Sequence, residues 1–274
     1  MAVCLRPVCR RLVRAAVAVA GVCIGGVAAE AGEVLVSPTE VIINPRNPTE
    51  LLNLTNQGGD TLRYEINTFV WQQTADGGIV LNKTEDVVVF PLLLTLGPHE
   101  TKRLRFGLQS PPGDVEKSYR VILQELPSET AGNAVSIRLV AKISLPIFVT
   151  PASAHPDPRI GSISAAGNAV SFSVLNPGTA HFMVRRLRAI ATDAAGRGVF
   201  DVTTQGWYVL AGGQRDYRLT LAEADCRRVA HLVIEAETDV TPARAEAAVS
   251  CSGAGAGART EFVRSAGAAQ SGTP

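Results

Sequence analysis

The chain has 274 residues, which is more than one typical globular domain, and this length favours two domains that each bury a core. Its formal net charge is +1, but four of its 26 basic residues lie within the first fourteen positions. Without residues 1–31 the net charge is about −2, so the composition implies no nucleic-acid partner.

The N-terminal segment has the order of a secretory signal peptide. Four arginines precede an apolar run from Ala15 to Val27, and small residues follow at Ala28, Ala29 and Ala31. The apolar run is shorter than the roughly twenty residues that a membrane span needs. We therefore predict that residues 1–31 form a signal peptide cleaved near Ala29 or Ala31, and that the mature chain has no stable membrane insertion.

Two other export signals fit this segment less well. Arg10 and Arg11 could belong to a twin-arginine signal, but the residues after them fit that motif poorly. Cys23 could be a lipoprotein acylation site, but Val22 before it is bulkier than the small residue that this chemistry expects.

The cysteines agree with export to an oxidising compartment. Cys4, Cys9 and Cys23 leave with the predicted signal peptide, and Cys226 and Cys251 remain as an even pair. We predict a structural disulfide between them, closing a loop of about 25 residues that contributes on the order of 3 kcal/mol in the chain-entropy view. Two buried thiols are the weaker alternative.

The remaining sequence is typical of an all-β protein with two sandwiches. Short β-branched and aliphatic runs alternate with turn residues such as Pro, Gly, Asn and Asp. Three prolines between Pro151 and Pro158 indicate a stiff connection between two domains. We predict an N-terminal domain over residues 32–151, a C-terminal sandwich over 152–251, and a disordered tail over 252–274.

The predicted strands of the first domain are 34–36, 41–43, 50–56, 62–72, 86–90, 101–108, 118–125 and 135–149. The predicted strands of the second domain are 169–175, 183–192, 207–210, 216–221, 230–237 and 245–251.

No constellation of residues indicates catalysis or a cofactor. The four histidines, His99, His155, His181 and His231, are isolated in sequence and lack metal-ligand spacing, so we interpret them as surface or loop residues. No G-x-S-x-G motif is present. We expect no metal, no cofactor and no enzymatic activity.

The strand predicted at 135–149 is unusually long. Apolar residues alternate with mostly polar ones over thirteen positions, whereas a typical strand has about five or six residues. The apolar set is Val135, Ile137, Leu139, Ala141, Ile143, Leu145 and Ile147. Such a strand either lies in the centre of its own sheet or extends beyond it and offers an edge to a partner that lacks a strand.

Several motifs in order resemble PapD-like pilus assembly chaperones, and most specifically the divergent, archaic type. The motifs are Ser37-Pro38-Thr39-Glu40-Val41, Phe69-Val70-Trp71 before Asp76-Gly77-Gly78, Phe90-Pro91 with Leu96-Gly97-Pro98, the run from Tyr119 to Pro127, and the run from Leu145 to Pro151. The second domain matches more loosely, chiefly at Leu175-Asn176-Pro177-Gly178.

The resemblance implies a periplasmic chaperone with two immunoglobulin-like domains in an L-shaped arrangement. Such chaperones bind pilin or fimbrial subunits that lack a strand, lend them their own long strand, and deliver them to an outer-membrane usher. The implied subunit-binding side chains are Ile137, Leu139 and Ala141, flanked by Val135 and Ile143. The alternative is a secreted two-domain structural or adhesive protein whose long strand belongs only to its own core.

The chain departs from the family at the residues that anchor the carboxylate of the subunit. The family uses an Arg on the first strand and a Lys near the end of the long strand, and these positions are Glu40 and Pro146 here. Either another cation, such as Lys142, Arg103 or Arg120, takes over the anchor, or the strand alone holds the subunit.

Overall fold

The computed structural model describes residues 34–127 and 140–250. The predicted signal peptide, the binding residues Val135, Ile137 and Leu139, and the tail 252–274 lie outside the described residues. No helix within the described ranges is long and apolar enough to cross a membrane.

The first half of the chain folds into two facing sheets. The strands are β1 (Val34–Ser37), β2 (Val41–Ile43), β3 (Glu50–Asn56), β4 (Leu62–Gln73), β5 (Ile79–Lys83), β6 (Val87–Phe90), β7 (Leu93–Leu96), β8 (Thr101–Leu108), β9 (Lys117–Glu125) and β10 (Lys142–Val149). One sheet has the order β1-β3-β8-β6, and the other has the order β2-β10-β9-β4-β5, with β7 also paired to β4.

The second half repeats this arrangement. Its strands are β11 (Arg159–Ile160), β12 (Ser164–Ala166), β13 (Ala169–Leu175), β14 (Phe182–Thr192), β15 (Gly198–Gln205), β16 (Tyr208–Val209), β17 (Gln214–Thr220), β18 (His231–Thr238) and β19 (Ala243–Ala248), with a short helix α1 (Glu223–Cys226). In one sheet β13 pairs with β11, β12 and β17, and the other has the order β15-β14-β18-β19, with β16 on β14.

Each half buries its own core, because alternate residues of its strands point between the two sheets. The first core contains buried residues from Val41 to Val149, and the second contains buried residues from Ile160 to Val249. The prediction of an all-β chain with two sandwiches is therefore confirmed.

The predicted disulfide remains a prediction. Cys226 ends α1 and is buried against the second domain, but Cys251 lies outside the described residues.

The two ends of the long strand β10 pair with different numbers of neighbouring strands. β10 pairs with β9 from Lys142 to Val149, but it pairs with β2 only from Ile147 to Val149. Within the described residues, the stretch from Lys142 to Pro146 therefore keeps one edge without a neighbouring strand. The described strand is also shorter than the sequence predicted, because Val140 and Ala141 precede it without strand geometry.

Candidate functional site

The apolar face of β10 continues into the core of its own domain. Leu145, Ile147 and Val149 are buried there, and Ile143 packs against the same core while half-buried. Ala141, the other described residue of the predicted binding set, is half-buried beyond the end of the strand. Because side chains alternate along a strand, the predicted binding residues and the core residues lie on the same face of β10.

The opposite face of β10 changes character halfway along the strand. Lys142 and Ser144 are exposed, as the alternating pattern predicts. Pro146 and Phe148 are buried on this face, where the pattern predicts solvent, and Phe148 packs against Leu210 and Tyr208 of the second domain.

An aromatic cluster joins the two domains at Phe148. Trp71 of β4, Phe148 and Leu210 are buried together, with Tyr208 of β16 packed against them. The Trp71 and Tyr208 ring centroids lie 5.6 Å apart in an edge-to-face arrangement, and the Gln73 side chain donates a 2.9 Å hydrogen bond to the Tyr208 carbonyl. These contacts fix the second domain against one end of β10.

A buried ion-pair cluster lies beside the aromatic residues. Glu116, just before β9, accepts hydrogen bonds from the backbone N–H of His181 at 2.9 Å and from His181 Nδ1 at 2.6 Å. Its other carboxylate oxygen accepts a 2.7 Å bond from the Thr150 hydroxyl. The imidazole stacks on the Phe148 ring at a centroid distance of 3.4 Å, so one carboxylate connects β9, the end of β10 and the start of β14.

Glu40 completes this cluster. Its Oε1 lies 3.5 Å from His181 Nε2, so both nitrogens of the imidazole face carboxylates. Burial alone would lower the pKa of His181, but the hydrogen bonds and charges of Glu116 and Glu40 outweigh burial and raise the pKa to about 9. His181 is therefore protonated at neutral pH.

His181 lies in a loop, which agrees with the interpretation of the histidines as surface or loop residues, but its side chain is only 14% exposed. Its partner Glu116 is 65 positions away in the sequence, and no local pattern connects the two residues. Glu40, which lacks the charge for binding a carboxylate, instead pairs with the histidine. Only the folded chain shows that an acidic residue at this position has a cationic neighbour.

Of the three cations predicted as possible carboxylate anchors, Arg120 lies next to Pro146, where the resemblance predicts the family's lysine. It stands directly opposite Pro146 in the register of β9 and β10. The residue is 6% exposed, and its guanidinium carbon lies 4.1 Å from the centroid of the Trp71 ring. Burial lowers the pKa of Arg120 from its ordinary value.

The guanidinium of Arg120 is incompletely bonded. Its Nη1 lies 3.5 Å from both the carbonyl and the hydroxyl oxygen of Ser144, while Nε and Nη2 are buried without a hydrogen-bond partner. Buried donors of this kind are costly unless a partner is supplied. The buried guanidinium therefore keeps two donors that bond to no atom of the described residues.

The other two candidate cations lie elsewhere. Lys142 is exposed at the beginning of β10 and pairs in register with Gln124. Arg103 is exposed on β8, which belongs to the other sheet of the first domain. Neither residue is placed beside Pro146.

The sheet that contains β8 also presents an apolar and basic outer face. Arg105 lies between Leu51 of β3 and Phe90 of β6 in the strand register. Phe90 is 73% exposed, and Leu51 and Val88 are exposed beside it. We call Leu51, Val88, Phe90, Arg103 and Arg105 the outer patch.

Comparison with known proteins identifies this architecture. Residues 33–155 match the family described as pili and flagellar-assembly chaperone, PapD N-terminal domain. No curated protein matches the sequence.

Solved structures share the fold of nearly the whole described chain. The CsuC–CsuE chaperone–tip adhesion subunit complex from archaic chaperone-usher Csu pili of Acinetobacter baumannii matches with a TM-score of 0.54 at 16% identity, covering 80% of this chain and 99% of that one. The E. coli chaperone DraB matches with a TM-score of 0.50 at 17% identity, covering 78% and 95%. The SafB chaperone complex with Salmonella enterica SafA pilin matches with a TM-score of 0.50 at 16% identity, covering 79% and 97%.

These structures confirm the predicted fold of two immunoglobulin-like domains, and the family match confirms the resemblance seen in the sequence motifs. Residues 33–155, the first domain and the start of the connection, therefore belong to the PapD N-terminal domain family of pilus and flagellar-assembly chaperones.

Proposed function

We propose that this chain is a periplasmic chaperone that binds pilin or fimbrial subunits by strand donation and delivers them to an outer-membrane usher. The donated segment is the continuation of β10 toward its N-terminus, with Val135, Ile137, Leu139, Ala141 and Ile143 as the side chains that enter the subunit. No catalysis is required, because binding energy alone protects the subunit.

The observation that carries this proposal is the open edge of β10. Between Lys142 and Pro146 the strand is bonded to β9 on one side only, and a partner strand can add to the other side. Burial of each large aliphatic side chain contributes about 1.5–3 kcal/mol before the costs of association. A few side chains are therefore sufficient for capture.

Arg120 is our choice for the residue that meets the carboxylate of the subunit. Its position opposite Pro146 puts a cation one strand away from the family's usual lysine position, and its two unpaired donors can bond to a carboxylate. The adjacent Ser144 hydroxyl is exposed and can share the same anion.

The outer patch is our choice for the surface that meets the usher. It combines exposed apolar side chains with two arginines, and it lies on the sheet that does not contain β10. A partner can therefore bind there while β10 is occupied by a subunit.

Co-purification with a pilin subunit encoded beside the chaperone gene tests the proposal. Leu139→Asp places a charge in the donated face and should abolish recovery of the subunit, whereas Ser136→Asp on the opposite face should retain it. Arg120→Gln should weaken recovery of subunits with a free C-terminal carboxylate. Phe90→Asp should retain the subunit and lose the usher.

Two results would contradict the proposal. Full recovery with Leu139→Asp, in a variant that keeps the wild-type circular dichroism spectrum, would refute strand donation. Equal losses with Leu139→Asp and Ser136→Asp would point to misfolding and not to one binding face.

A further inference from the structure

Glu125 makes an unusual contact at the point where β10 begins. Glu125 is the last residue of β9 and is 6% exposed. Its backbone N–H donates a 2.9 Å hydrogen bond to the Ala141 carbonyl, and its side-chain Oε2 accepts a 2.9 Å hydrogen bond from the Ala141 N–H. Both backbone groups of Ala141 are thus held by one residue.

This contact replaces one regular bond of the ladder between β9 and β10. In a regular antiparallel pair, the Ala141 N–H would bond to the Glu125 carbonyl. Here that carbonyl lies 3.4 Å from the Gln124 side-chain amide, and the carboxylate takes its place as acceptor. On the other side of β9 the bonding to β4 is regular, since the Leu126 N–H donates to the Arg63 carbonyl at 2.8 Å.

The Glu125 carboxylate is buried, which costs free energy for a charged group. Tyr64 of β4 is paired with Glu125 in register, and its hydroxyl is buried without a hydrogen-bond partner. Burial, together with the charge of Glu125, raises the pKa of Tyr64 to about 12. Burying a charged side chain costs free energy unless the charge makes strong hydrogen bonds. A backbone carbonyl could accept the same bond from Ala141 without burying a charge.

We infer that Glu125 is a positioning residue for strand donation, whose carboxylate fixes the backbone of Ala141 at the base of the donated segment. The inference rests on the proposed function, since it assigns a role within the donated strand. It concerns the backbone of Ala141 and assigns no new side chain to the contact with the subunit.

One physical consequence gives Glu125 this role. The charge-assisted bond holds the base of the segment in place, so less conformational freedom is lost when a subunit binds.

Hydrogen exchange at the Ala141 amide tests the contact without any subunit. The matched variants are Glu125→Leu, which removes the acceptor, and Glu125→Gln, which keeps an uncharged oxygen. Glu65→Gln is the control, because Glu65 is exposed on the neighbouring strand β4 and pairs in register with Gln124.

We expect exchange at Ala141 to become about tenfold or more faster in Glu125→Leu, since a hydrogen bond to a charged group is lost. Glu125→Gln should give an intermediate rate, and Glu65→Gln should match the wild type. Unchanged protection in Glu125→Gln would overturn the inference, and this variant preserves the test if Glu125→Leu fails to fold.

Subunit capture separates positioning from simple stabilisation. In the co-purification assay, Glu125→Gln should release the subunit faster than Glu65→Gln at equal thermal stability. Faster exchange with unchanged capture would overturn the positioning role and leave Glu125 as a structural residue. Failure of the wild-type chain to capture a subunit would instead refute the proposed function, and the exchange experiment would still decide whether the Glu125 carboxylate holds the Ala141 amide.

Discussion

The two ends of β10 have the same alternating sequence and opposite surroundings. From Ile147 to Val149 the strand lies between β2 and β9, and Phe148 is fully buried under the second domain. From Lys142 to Pro146 the strand is paired on one side only, and Ser144 is exposed. One strand therefore has a fixed end and an open end.

The difference explains how the proposed strand donation leaves the chaperone's own fold intact. The fixed end is held by two neighbouring strands, by the aromatic cluster and by the ion pairs of His181. Because those contacts do not reach Lys142, the open end can pair with another chain while the domain remains intact. The following predictions test how separate the two ends are.

The largest expected effect is the loss of stability in Phe148→Ala, which removes packing at the fixed end of β10. This substitution empties a site packed by Trp71, Tyr208 and the imidazole of His181, so we expect a destabilisation of about 3–5 kcal/mol. Urea unfolding followed by tryptophan fluorescence measures the change, because Trp71 lies in the same cluster.

Ser144→Ala is the matched substitution at the open end. It removes an exposed hydroxyl, so the free energy of unfolding should change by less than about 0.5 kcal/mol. Similar losses for the two variants would show that the two ends are not energetically distinct.

A smaller effect is expected from alkaline pH, which should weaken the fixed end. The pKa of His181 is raised from 6.5 to about 9, so the protonated imidazole stabilises the folded state most fully below about pH 6.5. This contribution is lost as the pH rises through 9, and the whole loss is on the order of 3 kcal/mol. Urea unfolding between pH 6 and pH 10 measures the slope.

His181→Gln provides the control for this pH dependence. It removes the titrating group while keeping a polar side chain, so its stability should vary less over the same range than that of the wild type. An identical slope in the variant and the wild type would assign the pH dependence to other groups.

Many strand positions could be predicted from the sequence because local chemistry determines them. The strands at Glu50–Asn56 and Ala169–Leu175 were predicted to the residue, since alternating apolar positions end at turn residues in both cases. The strands at Ile79–Lys83 and Gly198–Gln205 were missed. Both lie at sheet edges and are largely exposed, so neither has a continuous apolar face.

The candidate site was only partly predictable, because its contacts join distant parts of the chain. The alternation of β10 identified the face that bears Ile143, and the motif comparison identified Glu40 and Pro146 as substituted positions. No local pattern could show that Arg120 lies opposite Pro146 or that His181 reaches Glu116, since strand register and domain contacts set both distances.

The smallest expected effect distinguishes the two carboxylates that flank His181. The side chain of Glu116 is 1% exposed and its Oε1 lies 2.6 Å from Nδ1, whereas the side chain of Glu40 is 31% exposed and its Oε1 lies 3.5 Å from Nε2. Solvent screens the exposed pair more strongly, so Glu40→Gln should cost less than about 1 kcal/mol at pH 7.

NMR titration of the imidazole measures this difference directly. Glu40→Gln should lower the pKa of His181 by less than Glu116→Gln does, because the more distant and more solvated carboxylate stabilises the imidazolium less. A larger shift from Glu40→Gln would mean that the carboxylate at the substituted anchor position dominates the cluster. The fixed end of β10 would then depend on Glu40, the residue that the motif resemblance aligns with the family's arginine.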